Sequence, residues 1–302
     1  MLNLRDIDWE SDALPMTLDR LGFLAAPGEN RADFLSRVRS VLRARDALLR
    51  RQNDMESAVG FRTGTVVPME EDGRSAAMDR TDRLYGLRAD WVTAFYPEKG
   101  LGALWGGCAA ETESGCPVFF LRKEFRERKR LLIYGKDELL AHELCHAVRG
   151  ALNDPVPEEL FAYRTSDSAF RRIAGDCFRS ETDALLFLLP SIVLLLIQSL
   201  VTLNLLNVPV WPFWMAVALF PAFLVLRSVA CRIVLRKAKR RLAAMGFCNA
   251  DAVLFRMTFS EIKRLAKTSL LPDADLRSVV WNARFRKGEF HDDKASRTDR
   301  IP

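Results

Sequence analysis

The sequence predicts an α+β fold that carries a two-helix transmembrane hairpin and a small C-terminal soluble α/β piece. Three observations lead there. Residues 136–150, KDELLAHELCHAVRG, are mostly good helix formers. Residues 91–96 (WVTAFY) and 117–121 (PVFFL) are short aromatic and β-branched runs of the kind that form strands. From Ala184 to Leu226 there are 43 positions without a charged residue, enough for two spans at about 20 residues each.

The helix at 136–150 holds His142, Glu143 and His146, two of the three histidines in the chain. Asp137 is its expected N-cap and Gly150 its expected C′ residue. On a helix, positions i and i+4 lie about 40° apart around the axis, so both imidazoles face one way. They can donate nitrogens to one Zn²⁺, with Glu143 beside them to take a proton from water at the metal. Ala141, Leu144, Cys145, Ala147 and Val148 around them are uncharged, which suits a buried metal-bearing helix. Cys145 reads as packing.

A catalytic zinc needs a third protein ligand and one open position. His291 lies in a polar tail and is a poor candidate. Residues 154–166, DPVPEELFAYRTS, place Pro157 in the first turn of a new helix, with Glu158 and Glu159 beside it. HExxH followed by a helical Glu-x-x-Ala, here Glu159-Leu160-Phe161-Ala162, resembles the gluzincin-type metallopeptidases, in a membrane-anchored bacterial branch. That resemblance implies a zincin-like catalytic domain with zinc as cofactor and a peptide or protein as substrate. It also implies Glu159 as third ligand; Glu158, on a different helix face, is the alternative. Both glutamates also suit the positive end of a helix dipole. Tyr163, one turn past Glu159, is a candidate oxyanion stabiliser. Glu138, one turn before His142, is a candidate for orienting an imidazole, and Asp176 is a more distant one. In zincin-type peptidases an edge strand before the metal helix pairs with the extended substrate. By that resemblance residues 117–122 are the candidate, an interior strand being the alternative.

The apolar run reads as spans near 184–206 and 211–231, with a turn marked by Asn204, Asn207, Pro209 and Pro212. Trp211 and Trp214 suit an interfacial aromatic belt. A helical hairpin buried in a soluble core is the other reading. Arg171, Arg172 and Arg179 precede the hairpin; Arg232, Arg236, Lys237, Lys239, Arg240 and Arg241 follow it; the turn has no charge. The positive-inside rule then puts both flanks in the cytoplasm, at a bacterial inner membrane. The net charge of +6 reads as attraction to the lipid surface, and no nucleic-acid-binding module accompanies it. Six scattered cysteines without a C-x-x-C pair fit reduced thiols, with a Cys108–Cys116 bridge left open. The N-terminal residues are acidic and carry no secretory signal.

Four regions follow: 1–84, mainly helical; 85–182, the metallopeptidase core; 183–234, the hairpin; and 235–302, a cytoplasmic region with a mobile tail. Phe34, Val38, Val41, Leu42, Leu48 and Leu49 predict an amphipathic helix over 30–55. Residues 56–82 read as loop or short strands. DAVLFRM and SVVWNARF read as strands, and Thr258 with Glu261 as a capping box opening a helix through about Lys267. No repeat, P-loop or nucleophile elbow is present, and with no histidine outside the motif except His291, no Ser-His-Asp triad.

The expectation is a membrane-anchored zinc peptidase. A non-enzymatic adaptor or sensor with a structural zinc site is the alternative. Proteolysis inside the bilayer fits poorly, because Lys136, Asp137, Glu138 and Arg149 bracket the motif. Reporter fusions at residue 1, near residue 208 and at residue 302 should give cytoplasmic, external and cytoplasmic signals. An external signal at residue 1 or 302 would overturn the topology.

Overall fold

The computed structural model of the chain describes residues 7–50, 55, 59–60, 63–99, 101, 106–112, 115–131, 134–179, 181–272 and 274–286. The polar tail from 287, with His291, lies outside them.

Helices α1 (Leu14–Arg20) and α2 (Arg31–Arg50) lead into strand β1 (Val66–Pro68), helix α3 (Asp72–Tyr85) and strand β2 (Thr93–Pro97). Strands β3 (Gly107–Glu111) and β4 (Pro117–Leu121) complete a mixed sheet of order β1-β2-β4-β3. Only the β2–β4 pair is parallel, with Thr93 opposite Val118. Alternate side chains go to opposite faces. Ala94, Tyr96, Phe119 and Leu121 enter the main core, while Phe95, Val118 and Phe120 meet Leu48 of α2 and Val66 in a second cluster. Both faces being covered explains why β2 and β4 read as unbroken apolar runs.

A small ribbon, β5 (Arg130–Leu131) and β6 (Tyr134–Gly135), opens the motif helix α4 (Lys136–Arg149). Gly107 lets α4 lie against the sheet: a Cβ there would stand 2.7 Å from the Phe120 carbonyl and 3.3 Å from Leu139. Next come α5 (Pro155–Tyr163) and α6 (Ala169–Ala174), then the long helices α7 (Glu181–Thr202) and α8 (Trp211–Ala244).

Both long helices are apolar enough to cross a membrane, and their apolar windows are only 6% and 17% buried. That argues against the buried-core reading, since most of these side chains are left uncovered among the described residues. The hairpin is docked at its basic end. Asp176, fully buried, accepts from Ser228 Oγ at 2.7 Å and pairs with Arg232, while Arg227 meets Asp183 at 2.7 Å.

The C-terminal region departs from the expected α/β piece. Residues 250–255 and 276–285 are helices, not strands: α9 (Ala250–Phe255) and α11 (Leu276–Phe285), with α10 (Phe259–Thr268) between them. A short, mostly apolar run has the same composition as a strand or a helix. The caps decide it: Asn249 accepts from the Ala252 amide, and Asp275 with Ser278 forms a capping box. The capping box at Thr258 and Glu261 forms as expected. Likewise residues 72–82 are helical, not loop, in a helix ended by Gly86 in the left-handed region (φ 65). One core runs from Leu14 to Phe285, so the segments before and after the hairpin fold as one body.

That body is held by a buried charge cluster. Asp19 accepts from Arg256 at 2.8 Å and from Arg284, and Arg256 donates to the Tyr85 carbonyl at 2.9 Å. Asp19→Ala would strand two buried guanidiniums and should cost about 3–5 kcal/mol. Denaturant melts of the detergent-solubilised protein measure this, and a loss below 1 kcal/mol would refute it.

Candidate metal centre

The ribbon delivers the chain into α4 with Gly135 at the N-cap position, so Asp137 and Glu138 fall in the first turn and Asp137 is not the cap. At the other end Gly150 stays right-handed and continues into a 3-10 turn (Gly150–Leu152). Asn153, not Gly150, is the left-handed residue (φ 46) that ends it. Pro155, two residues before the Pro157 expected there, takes the first position of α5. This short connection folds α5 back against α4. Phe161 and Ala162 are fully buried in the contact, and Tyr85 Oη donates to the Phe161 carbonyl at 2.7 Å.

The fold-back brings together His142, His146 and Glu159, a group able to hold a metal ion. The two Nε2 atoms are 3.2 Å apart. Glu159 presents Oε2 at 3.5 Å from His142 Nε2 and Oε1 at 3.4 Å from His146 Nε2. Donors that bind zinc tetrahedrally at about 2.0–2.2 Å stand about 3.3–3.5 Å from one another. Each imidazole thus meets a different Glu159 oxygen near that spacing, and one ligand atom from each of the three residues lies within 4.8 Å of the others. Glu158 takes another position: its Oε2 lies 3.4 Å from His146 Nδ1, the ring nitrogen turned away from the cluster. The adjacent glutamates, about 100° apart on the helix, thus address opposite sides of one imidazole.

Burial pushes the His142 imidazole down to about 3, aided by His146 and Arg171, so it stands as a neutral donor. Burial opposes charge on His146 too, but Glu158, Glu159 and Glu143 outweigh it and hold it above its ordinary value. Burial raises the carboxyls of Glu143 and Glu159. A divalent cation at the cluster would reverse the trend for both carboxyls. Glu143 is partly buried and makes no hydrogen bond among the described residues. It faces β3: burial first, and Glu143 second, push the Cys108 thiol up to about 11.

Among the weaker candidates, Tyr163 stands edge-on to His142, ring centroids 4.6 Å apart. Gly175 permits this, because any Cβ there would overlap the Tyr163 ring. Glu138 does not touch an imidazole; it accepts from Ser166 Oγ and from Arg171 at 2.8 Å. Asp176 anchors the hairpin, and Cys145 is buried packing. All six cysteines are free, which settles the Cys108–Cys116 question against a bridge.

No protein-family model matches the chain, and neither does any curated protein or solved structure. The site is therefore read from its own geometry. A cleft of about 590 Å³ opens at His146, walled by Phe23, Val41, Trp91, Ala109 and Glu111. Residues 117–121 are the interior strand β4, so they do not form the expected edge. The strand at that edge of the sheet is β3, within the Gly-rich segment that separates the two predicted strands.

Sequence reasoning missed three things: the Glu158 contact, the β3 edge, and Arg171, whose guanidinium lies over the rings of Tyr134 (5.1 Å) and Tyr163 (5.9 Å). The first gives Glu158 more than a helix-dipole role. Glu159→Ala should abolish stable zinc binding, and Glu158→Ala should weaken it about 10–100-fold, as for loss of a group that orients a ligand. Zinc titration against a competing chelator measures both. Equal affinities for the two variants would defeat the assignment.

Proposed function

We propose that this chain is a membrane-anchored, gluzincin-like zinc peptidase with its site on the cytoplasmic side of a bacterial inner membrane. The observation that carries the reading is the convergence of His142, His146 and Glu159, with one ligand atom from each within 4.8 Å of the others, an unengaged Glu143 beside them and an open cleft at His146.

His142 and His146 would hold zinc through Nε2 and Glu159 through its carboxylate, leaving a position open to solvent. When bound, zinc supplies Lewis acidity to a carbonyl oxygen and to water. Glu158 keeps the proton of His146 on Nδ1, which leaves the Nε2 lone pair free. Glu143 takes a proton from the attacking water and returns it to the leaving amine. Tyr163, whose ring packs beside His142, would donate to the developing oxyanion. The β3 edge offers backbone groups to an extended peptide lying in the cleft.

The shared core supports the proposed topology. Residues on either side of the hairpin pack together, so both lie on one face of the bilayer. The arginine and lysine clusters on that side favour the cytoplasmic face by the positive-inside rule.

Glu143→Gln should retain zinc and lose turnover by about 10²–10⁴-fold. A fluorogenic peptide library, with and without chelator, reads the activity, and elemental analysis reads the metal. Chelator-sensitive cleavage at the wild-type rate by this variant would refute the mechanism.

A further inference from the structure

A second, smaller pocket lies on another face of the helix that carries Glu159. It holds about 120 Å³, between α5, the inner part of α8, and α9. Its polar lining is Arg164, Arg232, Arg236, Lys239 and Asp251. Asp251 is shared by Arg164, at 2.8 Å, and Lys239. Arg232 is committed to Asp176. Arg236 is exposed and has no ion-pair or hydrogen-bond partner among the described residues. Four cations therefore meet two carboxylates, and one guanidinium fork is free.

The pocket sits at a defined height. A hydrocarbon layer of about 30 Å measured along α8 from Trp211 ends about 20 residues on, near Cys231, with the Arg227–Asp183 ion pair one turn inside that end. Arg232 is at that boundary, and Arg236 and Lys239 lie one and two turns beyond it, at the level of lipid headgroups. Arg232 also donates to the carbonyls of Arg172 (2.9 Å) and Ile173 (3.0 Å), which brings α6 to the same level. There Phe170 and Ile173 are 77% and 66% exposed, bare apolar side chains of the kind that enter an interface. Toward the membrane, Arg236 is followed on the same helical face by Ile233 and Val229, at i−3 and i−7, both exposed. The pocket thus opens onto an apolar track that leads into the bilayer.

We propose that this pocket binds the headgroup phosphate of one anionic phospholipid, with Arg236 taking two phosphate oxygens and an acyl chain lying along Ile233 and Val229. The proposal rests on the membrane reading above and on neither zinc nor hydrolysis. A free phosphate would satisfy the cations but leave the apolar track bare.

The test uses the full chain in an uncharged detergent, with native mass spectrometry and thermal shift as readouts. The probes are phosphatidylglycerol, phosphatidylcholine and inorganic phosphate. One phosphatidylglycerol should be retained per chain in preference to phosphatidylcholine, and inorganic phosphate should not displace it. R236Q/K239Q should weaken that binding at least about tenfold. K237Q/R240Q removes the same charge outside the pocket and should leave binding unchanged. Circular dichroism matching the wild type establishes that each variant is folded. Equal loss in both variants, equal retention of the two lipids, or displacement by inorganic phosphate would each overturn the proposal. The membrane reading fails separately, if the protein stays monodisperse once detergent is removed.

Discussion

The guanidinium of Arg149 is buried at the end of the motif helix, and three segments of the chain converge on it. It donates to the carbonyls of Phe255 and Met257, beyond the hairpin, and lies against the rings of Phe161 (4.9 Å) and Phe255 (5.4 Å). Burial lowers it to about 10, so it remains charged at neutral pH. A buried cation is tolerated only where acceptors and ring faces replace water. Here that requirement forces α4, α5 and α9 into one arrangement. The angle between α4 and α5, and so the approach of Glu159 to two imidazoles, depends on it.

The same economy of position separates Glu158 from Glu159. Neighbours in sequence, they differ only in helical phase. One faces the cluster and the other faces the outer nitrogen of His146. A residue inserted before them would move Glu158 to the Glu159 position and carry Glu159 off the cluster.

The motif, the hairpin and the Thr258 cap were legible because each is local. Histidines four apart share a face in any helix, an uncharged run of that length has few other uses, and a capping box needs four residues. The sheet order was not legible. Which of β3 and β4 forms the edge depends on pairing across the fold, and β3 is short and rich in small residues. The C-terminal helices were misread because residues 252–257 of DAVLFRM are all buried, which removes the polar face that reveals a period, and because SVVWNARF exposes an apolar Val279 where a helix usually shows a polar residue. Asn249 and Asp275 were the available signals. The contacts of Glu158 and Arg171 are set by tertiary packing and leave no trace in spacing.

Helix α8 passes without a break from the turn that follows α7 into the folded body, and beyond Pro221 it contains neither proline nor glycine. There is no hinge between anchor and body. A bilayer thicker or thinner than its apolar length would be met by tilting the helix. The body, welded to that helix by Asp176 and Arg232, would lean with it. If the hairpin spans a bilayer as proposed, hydrophobic mismatch becomes a variable that sets the angle between the cleft and the membrane plane.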